Sequence, residues 1–163
     1  MTPLGWTLQE VAVATDGDLV GTDAAVDVIG IDSRTVADGE LFVAVPGERF
    51  DGHDYAGAAV RAGAIGALVE RGRADDITPR VEVADTVTAL RDLAAKRRNE
   101  ISVPVVAITG STGKTSTKDL AAAALPGAWA SPRSFNNEVG VPLTLLATPA
   151  DARYLIVEVG SRG

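Results

Sequence analysis

Apolar residues along the chain follow two spacings, one typical of strands and one typical of helices. Short runs rich in β-branched residues predict strands, and apolar positions three or four residues apart predict helices. The predicted strands cover residues 26–31, 41–45, 65–70, 81–83, 101–109 and 154–159. The predicted helices cover residues 7–14, 54–62, 86–98, 114–125 and 141–146. Because strands and helices alternate, the pattern predicts an α/β fold.

A change in composition near residue 100 divides the chain. Its 163 residues, 46% of them hydrophobic and 23% charged, suffice for one large domain or two small ones. Residues 1–100 carry 18 acidic and 10 basic groups, whereas residues 101–163 carry 4 and 5. We therefore predict one domain over 1–100 and the beginning of a second over 101–163. On charge alone, phosphate ligands fit the second segment better.

Composition also disfavours several classes of protein. The net charge of −7 does not suit a general nucleic-acid binder, which carries a basic footprint. Without cysteine there is no disulfide framework, zinc ribbon or thiol nucleophile. No apolar run reaches the roughly 18 residues of a membrane span, and the first residues lack the pattern of a secretory signal. We expect a cytoplasmic protein with no membrane span and no nucleic-acid partner.

The strongest motif is TGSTGKTST over residues 109–117, between a predicted strand and a predicted helix. Such a turn presents backbone N–H groups and a helix N-terminus to a phosphate, and Gly110 and Gly113 permit the close approach. Lys114 would contact the terminal phosphates, and the Thr115 hydroxyl would bind Mg²⁺. The loop is shorter than the usual P-loop, since Ile108 stands where glycine is expected. A plain turn with a chance Gly-Lys-Thr is the alternative.

Three segments resemble the Mur ligases in their order and spacing. They are TGSTGKTSTKDL from 109, SFNNEVGVPLTLL from 134 and VEVGSRG from 157. Upstream, residues 32–64 are similar to the nucleotide-sugar-binding domain of the same enzymes. The resemblance implies a small N-terminal α/β nucleotide-sugar-binding domain followed by the beginning of a P-loop parallel-sheet ATPase domain. Within the family, FNNEVGVPLTLL is most similar to members that add D-alanyl-D-alanine to UDP-N-acetylmuramoyl-tripeptide in peptidoglycan synthesis.

The resemblance implies an ATP-dependent amide ligase with ATP and Mg²⁺ as cofactors. ATP phosphorylates the carboxylate of the UDP-N-acetylmuramoyl-peptide, and the amine of D-alanyl-D-alanine attacks the resulting acyl phosphate. The acyl phosphate supplies a good leaving group, so the protein mainly positions the reactants and neutralises charge. We expect a monomer.

The family's site residues carry over to matching positions. Lys114 is the candidate catalytic residue, and the residues expected to bind ATP are Thr109, Gly110, Ser111, Thr112, Gly113, Lys114, Thr115 and Ser116. Glu158 matches the acidic Mg²⁺ ligand, with Thr115 as the second metal residue. A carboxylate inside the apolar run YLIVEV is costly to bury alone, and a cation would justify it. A glutamate exposed at a strand end is the alternative.

Four further residues are candidates for substrate contacts. Ser33 and Arg34 correspond to uridine-nucleotide contacts, although an Asp-Ser-Arg loop by itself is more often a turn. Asn136 and Asn137 could offer amide hydrogen bonds to the substrate or to water around the metal, and a turn-forming role is the alternative for one of them. For His53 we favour a loop or capping role over catalysis.

The family's later elements have no match in this chain: a modified lysine, a histidine metal ligand, the base and ribose contacts and a C-terminal domain. Lys118 is not a substitute for the modified lysine. We therefore expect an N-terminal portion that is inactive alone. The alternatives are the sister ligase that adds the third amino acid, a folate polyglutamate ligase, a binding module and a P-loop switch protein. The folate enzymes lack the N-terminal domain, so residues 25–70 count against them.

Overall fold

The computed structural model describes residues 3–47, 49–132 and 135–160. The chain forms two units that divide between Leu93 and Ala94. The elements of the first unit are β1 (Trp6–Thr7), α1 (Leu8–Ala14), β2 (Asp18–Val20), β3 (Ala25–Val26), β4 (Val28–Gly30), β5 (Glu40–Val43), α2 (His53–Arg61), β6 (Gly66–Glu70) and β7 (Arg80–Val83). Helix α3 (Thr86–Glu100) contains the dividing point.

The first unit is built on a five-stranded sheet in the order β2-β7-β6-β5-β4. Strands β4 to β7 pair in parallel, whereas β2 pairs antiparallel with β7. The middle strands carry the core, because every residue of β5 and the first four residues of β6 are buried. Phe42 and Val69 pack with Ala56 and Ala59 of α2 in one cluster.

Helix α1 begins where the sequence predicts. The Thr7 hydroxyl accepts a hydrogen bond from the Glu10 amide at 3.2 Å, and the Glu10 carboxylate accepts one from the Thr7 amide at 2.9 Å. This capping box satisfies two amides that the first helical turn leaves without partners. Leu8, Val11 and Ala12 form the buried face of the helix.

The second unit contains β8 (Val105–Ile108), α4 (Lys114–Ala124), β9 (Ala128–Ala130), α5 (Gly140–Leu146) and β10 (Tyr154–Glu158). Its three-stranded sheet has the order β8-β10-β9, and both pairings are parallel. The α/β prediction is confirmed: the described residues form one mixed sheet, one parallel sheet and the two-stranded antiparallel sheet β1-β3. No helix within the described ranges is long and apolar enough to cross a membrane.

Several predicted elements differ from those observed. The run 26–31 is two strands, because β3 pairs antiparallel with β1 while β4 pairs in parallel with β5. The prediction of a strand at 101–109 buried on both faces is wrong for the described residues. Strand β8 covers only Val105–Ile108 at an edge of its sheet, and Val106 is 38% exposed. The short strands β2 and β9 have too few residues for a period to be visible.

Candidate functional site

The candidate site of the second unit lies at the carboxyl ends of parallel strands. Glu158, the last residue of the middle strand β10, is in register with Ile108, the last residue of β8. The loop 109–113 continues from β8 into α4, and Ser131 follows β9 directly. Because the strands are parallel, these three chain segments meet at the carboxyl ends of the strands. This is where open α/β sheets bind ligands.

The loop between β8 and α4 depends on two glycines. Gly110 has φ +146° and Gly113 has φ +75°, values that L side chains rarely adopt. Gly113 is also the N-cap of α4, and its carbonyl accepts a hydrogen bond from the Thr117 amide at 2.9 Å. A β-carbon at Gly113 would meet open space, so the backbone torsion is what requires glycine there.

Lys114 extends back over the loop. Its side chain starts at the first residue of α4, and Nζ donates a hydrogen bond to the Gly110 carbonyl at 2.6 Å. This contact spans the glycine loop and places a positive charge beside its backbone. An anion bound at the N-terminus of α4 would meet that charge and the helix dipole together.

Glu158 is buried, with 1% of its surface exposed, so the alternative of a glutamate exposed at the strand end is wrong. Its Oε2 accepts a hydrogen bond from the Thr115 hydroxyl at 3.0 Å, and its Oε1 accepts one from the Asn136 amide at 2.8 Å. The structure therefore brings together three residues that lie far apart in the sequence. Both donors are neutral.

This arrangement fits a hard cation. Among the described residues, no lysine, arginine or histidine forms an ion pair with Glu158, so its buried charge faces only neutral donors. Carboxylate and hydroxyl oxygens are ligands that Mg²⁺ accepts, and Mg²⁺ usually keeps several waters or phosphate oxygens beside one or two carboxylates. The described part of the chain contains no group of three acidic, histidine or cysteine side chains that could hold a metal ion.

The two asparagines have different surroundings. Asn136 is half-buried and donates to Glu158, and its carbonyl accepts a hydrogen bond from the Gly160 amide at 2.6 Å. Asn137 is exposed, and its Oδ1 accepts from the amides of Val139 at 3.3 Å and Gly140 at 2.8 Å. Asn137 thus forms the turn that leads into α5, whereas Asn136 belongs to the carboxylate cluster. A substrate contact for either residue stays a prediction.

Ser131 is a site residue that the sequence reasoning missed. It is 2% exposed, and its hydroxyl accepts a hydrogen bond from the Glu158 amide at 3.3 Å. Lys118 of α4, 3% exposed, donates from Nζ to the Ser131 carbonyl at 2.8 Å. No sequence pattern points to Ser131, because the three-residue strand β9 that precedes it was not predicted.

In the first unit, Asp32 fixes the candidate nucleotide contact Arg34. The Arg34 guanidinium donates to both oxygens of Asp32, from Nε at 2.8 Å and from Nη2 at 2.6 Å. These bonds to Arg34 lower the pKa of Asp32 to about 2. The Arg34 side chain remains 84% exposed, and Ser33 is half-buried between the two. The pair thus holds a guanidinium in one orientation at the surface, although an exposed pair contributes little to stability.

The buried ring of His53 contacts Asp51 and the backbone of Glu70. It is the first residue of α2, and Nδ1 lies 2.7 Å from Asp51 Oδ1, while Nε2 accepts a hydrogen bond from the Glu70 amide at 3.0 Å. The amide donation to Nε2 places the proton of a neutral ring on Nδ1. Hydrogen bonds from His53 and from Arg73 hold the pKa of Asp51 well below its usual range. The predicted loop or capping role is therefore wrong, because His53 is the first residue of α2, the N-cap is Gly52, and the buried ring ties the start of the helix to Glu70 of β6.

The sequence matches the Mur ligase family, catalytic domain, over residues 25–108 and the Mur ligase middle domain over residues 108–163. The chain belongs to the Mur ligase family. It is 40% identical over 158 residues to the UDP-N-acetylmuramoyl-tripeptide–D-alanyl-D-alanine ligase of Escherichia coli, an alignment covering 95% of this chain and 35% of that protein. The chain therefore spans about a third of the length of the curated relatives it matches.

Solved structures agree with the sequence matches. The crystal structure of MurF from Acinetobacter baumannii superposes with a TM-score of 0.85 at 34% identity, covering 99% of this chain and 37% of that one. MurF ligase from Thermotoga maritima, in complex with ADP, superposes with a TM-score of 0.71 at 33% identity, covering 82% of this chain and 32% of that one. Both neighbours are about three times as long as this chain.

Proposed function

We propose that these residues correspond to the N-terminal part of an ATP-dependent ligase that adds D-alanyl-D-alanine to UDP-N-acetylmuramoyl-tripeptide. The relatives named for this activity align with 82–95% of the chain at 32–40% identity. The segment FNNEVGVPLTLL, which carries the resemblance to the members that add D-alanyl-D-alanine, lies within the residues that match the Mur ligase middle domain. The reaction makes a precursor of peptidoglycan, and we assign it to the cytoplasm.

The single observation that carries the proposal is that the glycine loop and the buried Glu158 lie together at the carboxyl ends of the strands. Thr115, the residue after Lys114, contacts the Glu158 carboxylate at 3.0 Å. A phosphate-binding loop needs backbone amides and a lysine, and a nucleoside triphosphate is bound with a divalent cation held by a hydroxyl and a carboxylate. The loop 109–113 with Lys114 would supply the first of these, and Thr115 and Glu158 would supply the second.

Each residue of the loop has a role in this proposal. Residues 109–116 bind the phosphates of ATP, and Lys114 leaves the Gly110 carbonyl to contact the terminal phosphates. Thr115 and Glu158 would hold Mg²⁺, which when bound neutralises charge on the phosphate oxygens. Because phosphoryl transfer is catalysed mainly by positioning and charge neutralisation, Lys114 is the residue that we assign to the reaction itself.

We assign the remaining contacts to the other substrate. Residues 1–100 form the domain that binds the uridine nucleotide, with Ser33 and Arg34 as contacts, and residues 101–163 are the beginning of a P-loop ATPase domain. The exposed guanidinium of Arg34 suits an anionic diphosphate because its donors form a planar fork. Asn136 and Asn137 are assigned to the substrate or to the water around the metal. The functional form is proposed to be a monomer.

Lys114→Ala in the full-length ligase tests the proposal. We expect ATP affinity to fall about 10- to 100-fold, the equivalent of one charge-assisted contact of about 1.5–3 kcal/mol. Calorimetry with ATP and MgCl₂ measures it, and binding of the uridine-linked tripeptide, measured in the same way, is expected to be unchanged. Lys96→Ala is the matched control, since Lys96 pairs with Glu100 on α3. Undiminished ATP affinity and turnover in Lys114→Ala would refute the assignment.

A further inference from the structure

Lys118 is a buried lysine on α4 for which the proposed function has no use. Only 3% of its surface is exposed. Burying an ammonium costs several kcal/mol unless it is well hydrogen-bonded, and an apolar side chain would fill the same space without that cost. Its Nζ donates to the Ser131 carbonyl at 2.8 Å and lies 3.4 Å from Asp119 Oδ1. The contact with Ser131 is therefore the feature that needs a physical reason.

Ser131 links Lys118 to the last residues of β10. The Ser131 amide donates to the Ile156 carbonyl at 3.1 Å, and its hydroxyl accepts from the Glu158 amide at 3.3 Å. Ser131 thus holds β10 at two points, one of which is the backbone of the buried glutamate. Since Ser131 follows the three-residue strand β9, its own position depends on what holds its carbonyl from the helix side.

Helix α4 then reaches Glu158 by two routes. Thr115 donates directly to the Glu158 carboxylate. Lys118, three residues later on the helix and so on a neighbouring part of the same face, reaches the Glu158 backbone through Ser131. The first route holds one carboxylate oxygen and the second holds the backbone of the same residue, while Asn136 holds the other carboxylate oxygen.

We propose that Lys118 is a positioning residue of the metal site: it fixes Ser131, and Ser131 fixes the backbone of Glu158 so that the carboxylate faces Thr115. The inference rests on the proposed function, because it takes Thr115 and Glu158 as the metal residues. Groups that orient a metal ligand without touching the metal are typically worth about 10- to 100-fold in metal affinity. Lys118 itself contacts neither metal nor phosphate in this proposal.

Lys118→Met tests the inference, because methionine keeps most of the length and removes the ammonium. The probe is ADP, titrated into the full-length ligase at a series of MgCl₂ concentrations and followed by calorimetry. We expect the Mg²⁺ concentration for half-maximal ADP affinity to rise about tenfold. At saturating Mg²⁺, we expect ADP affinity within about twofold of the unsubstituted protein. A merely structural role would lower affinity at every Mg²⁺ concentration.

Three companion variants make the test specific. Ser131→Ala removes the acceptor of the Glu158 amide without altering α4, and we expect the same shift in Mg²⁺ dependence. Lys118→Arg keeps a cationic donor and is expected to restore most of the unsubstituted dependence. Lys96→Met, on α3, is the control and should change neither quantity. If Lys118→Met does not fold, as judged by circular dichroism, Ser131→Ala decides the matter.

The outcomes separate the two proposals. If the unsubstituted ligase does not bind ADP with Mg²⁺, the proposed function fails and this inference fails with it. If it binds normally but Lys118→Met and Ser131→Ala leave the Mg²⁺ dependence unchanged, only the positioning role is overturned. Loss of affinity that is equal at all Mg²⁺ concentrations would also overturn the positioning role and assign Lys118 to packing.

Discussion

The two units bury their sheets to different degrees. In the first unit, the middle strands β5 and β6 supply the core, and Leu41, Phe42 and Leu68 are at most 1% exposed. In the second unit, β8 lies at a sheet edge with Val106 38% exposed, and Leu120 of α4 is 72% exposed. Similar apolar runs therefore form core in one unit and surface in the other. An apolar pattern shows what a strand is able to bury, while neighbouring elements decide what is buried.

Each unit also buries a glutamate, and the two differ in their surroundings. Glu158 accepts hydrogen bonds from two side chains of the candidate site. Glu40, at the start of β5, accepts one from the Ala37 amide at 2.9 Å, and its carboxylate packs against Gly30, where a β-carbon would collide with it. Its Oε1 has no hydrogen-bond partner among the described residues. The first glutamate lies among residues of the candidate site, whereas the second packs within a turn.

The largest effect is expected from Leu68→Ala in β6. Leu68 is fully buried, so truncation removes apolar contacts and leaves a cavity, and the free energy of unfolding of the first unit should fall by about 2–5 kcal/mol. Leu120→Ala, the matched change in the second unit, should alter it by no more than about 0.5 kcal/mol because Leu120 is exposed. Denaturant unfolding followed by tryptophan fluorescence measures both.

Each unit contains one tryptophan, Trp6 in the first and Trp129 in the second. Replacing either tryptophan with phenylalanine in the 163-residue chain therefore leaves only the fluorescence of the other unit. A destabilisation by Leu120→Ala as large as that by Leu68→Ala would break the comparison, since it would mean that the exposed face of α4 is covered in the protein.

The local elements were predictable where short-range chemistry fixes them. The helix predicted from residue 7 begins at Leu8, after the capping box of Thr7 and Glu10, and the helix predicted from Lys114 follows the glycine loop. The contacts of Glu158 could be predicted only in part. A strand-end carboxylate and the Lys114-Thr115 pair are visible in the sequence, but the contact with Asn136 spans 22 residues and depends on how a loop returns to the sheet. Ser131 had no signal, because a three-residue strand shows no period.

Glu158→Gln sharpens the comparison of the two glutamates. A neutral amide is a poorer ligand for a hard cation, so the Mg²⁺ concentration for half-maximal ADP affinity should rise by about tenfold or more. The free energy of unfolding of the second unit should not fall, because the substitution removes a buried charge that has only neutral partners in the described structure. Calorimetry and denaturant unfolding of the same variant test both parts. An unchanged Mg²⁺ dependence would make Glu158 a structural residue.

The smallest effect is expected from Glu40→Gln in the first unit, and its sign depends on pH. Burial raises the pKa of Glu40 above the ordinary value of a glutamate; the hydrogen bond from the Ala37 amide opposes this shift, and the nearby charge of Asp32 adds to it. A carboxyl group with a raised pKa in the folded protein contributes stability that is fully present below its unfolded pKa. That stability is lost as the pH rises through the folded value. At neutral pH the ionised Glu40 should therefore weaken the turn that it shapes.

Glutamine keeps the size of the side chain and cannot ionise. We expect Glu40→Gln to raise the free energy of unfolding of the first unit at pH 8, because the buried carboxylate is then ionised at a cost that the neutral amide does not carry. The gain should shrink toward zero as the pH falls below about 4.5. Denaturant unfolding of the Trp129→Phe protein at several pH values measures it, with Asp38→Asn as the control at an exposed position of the same turn. Parallel stability curves for Glu40→Gln and the unsubstituted chain would show that ionising Glu40 costs the folded first unit nothing, contrary to this prediction.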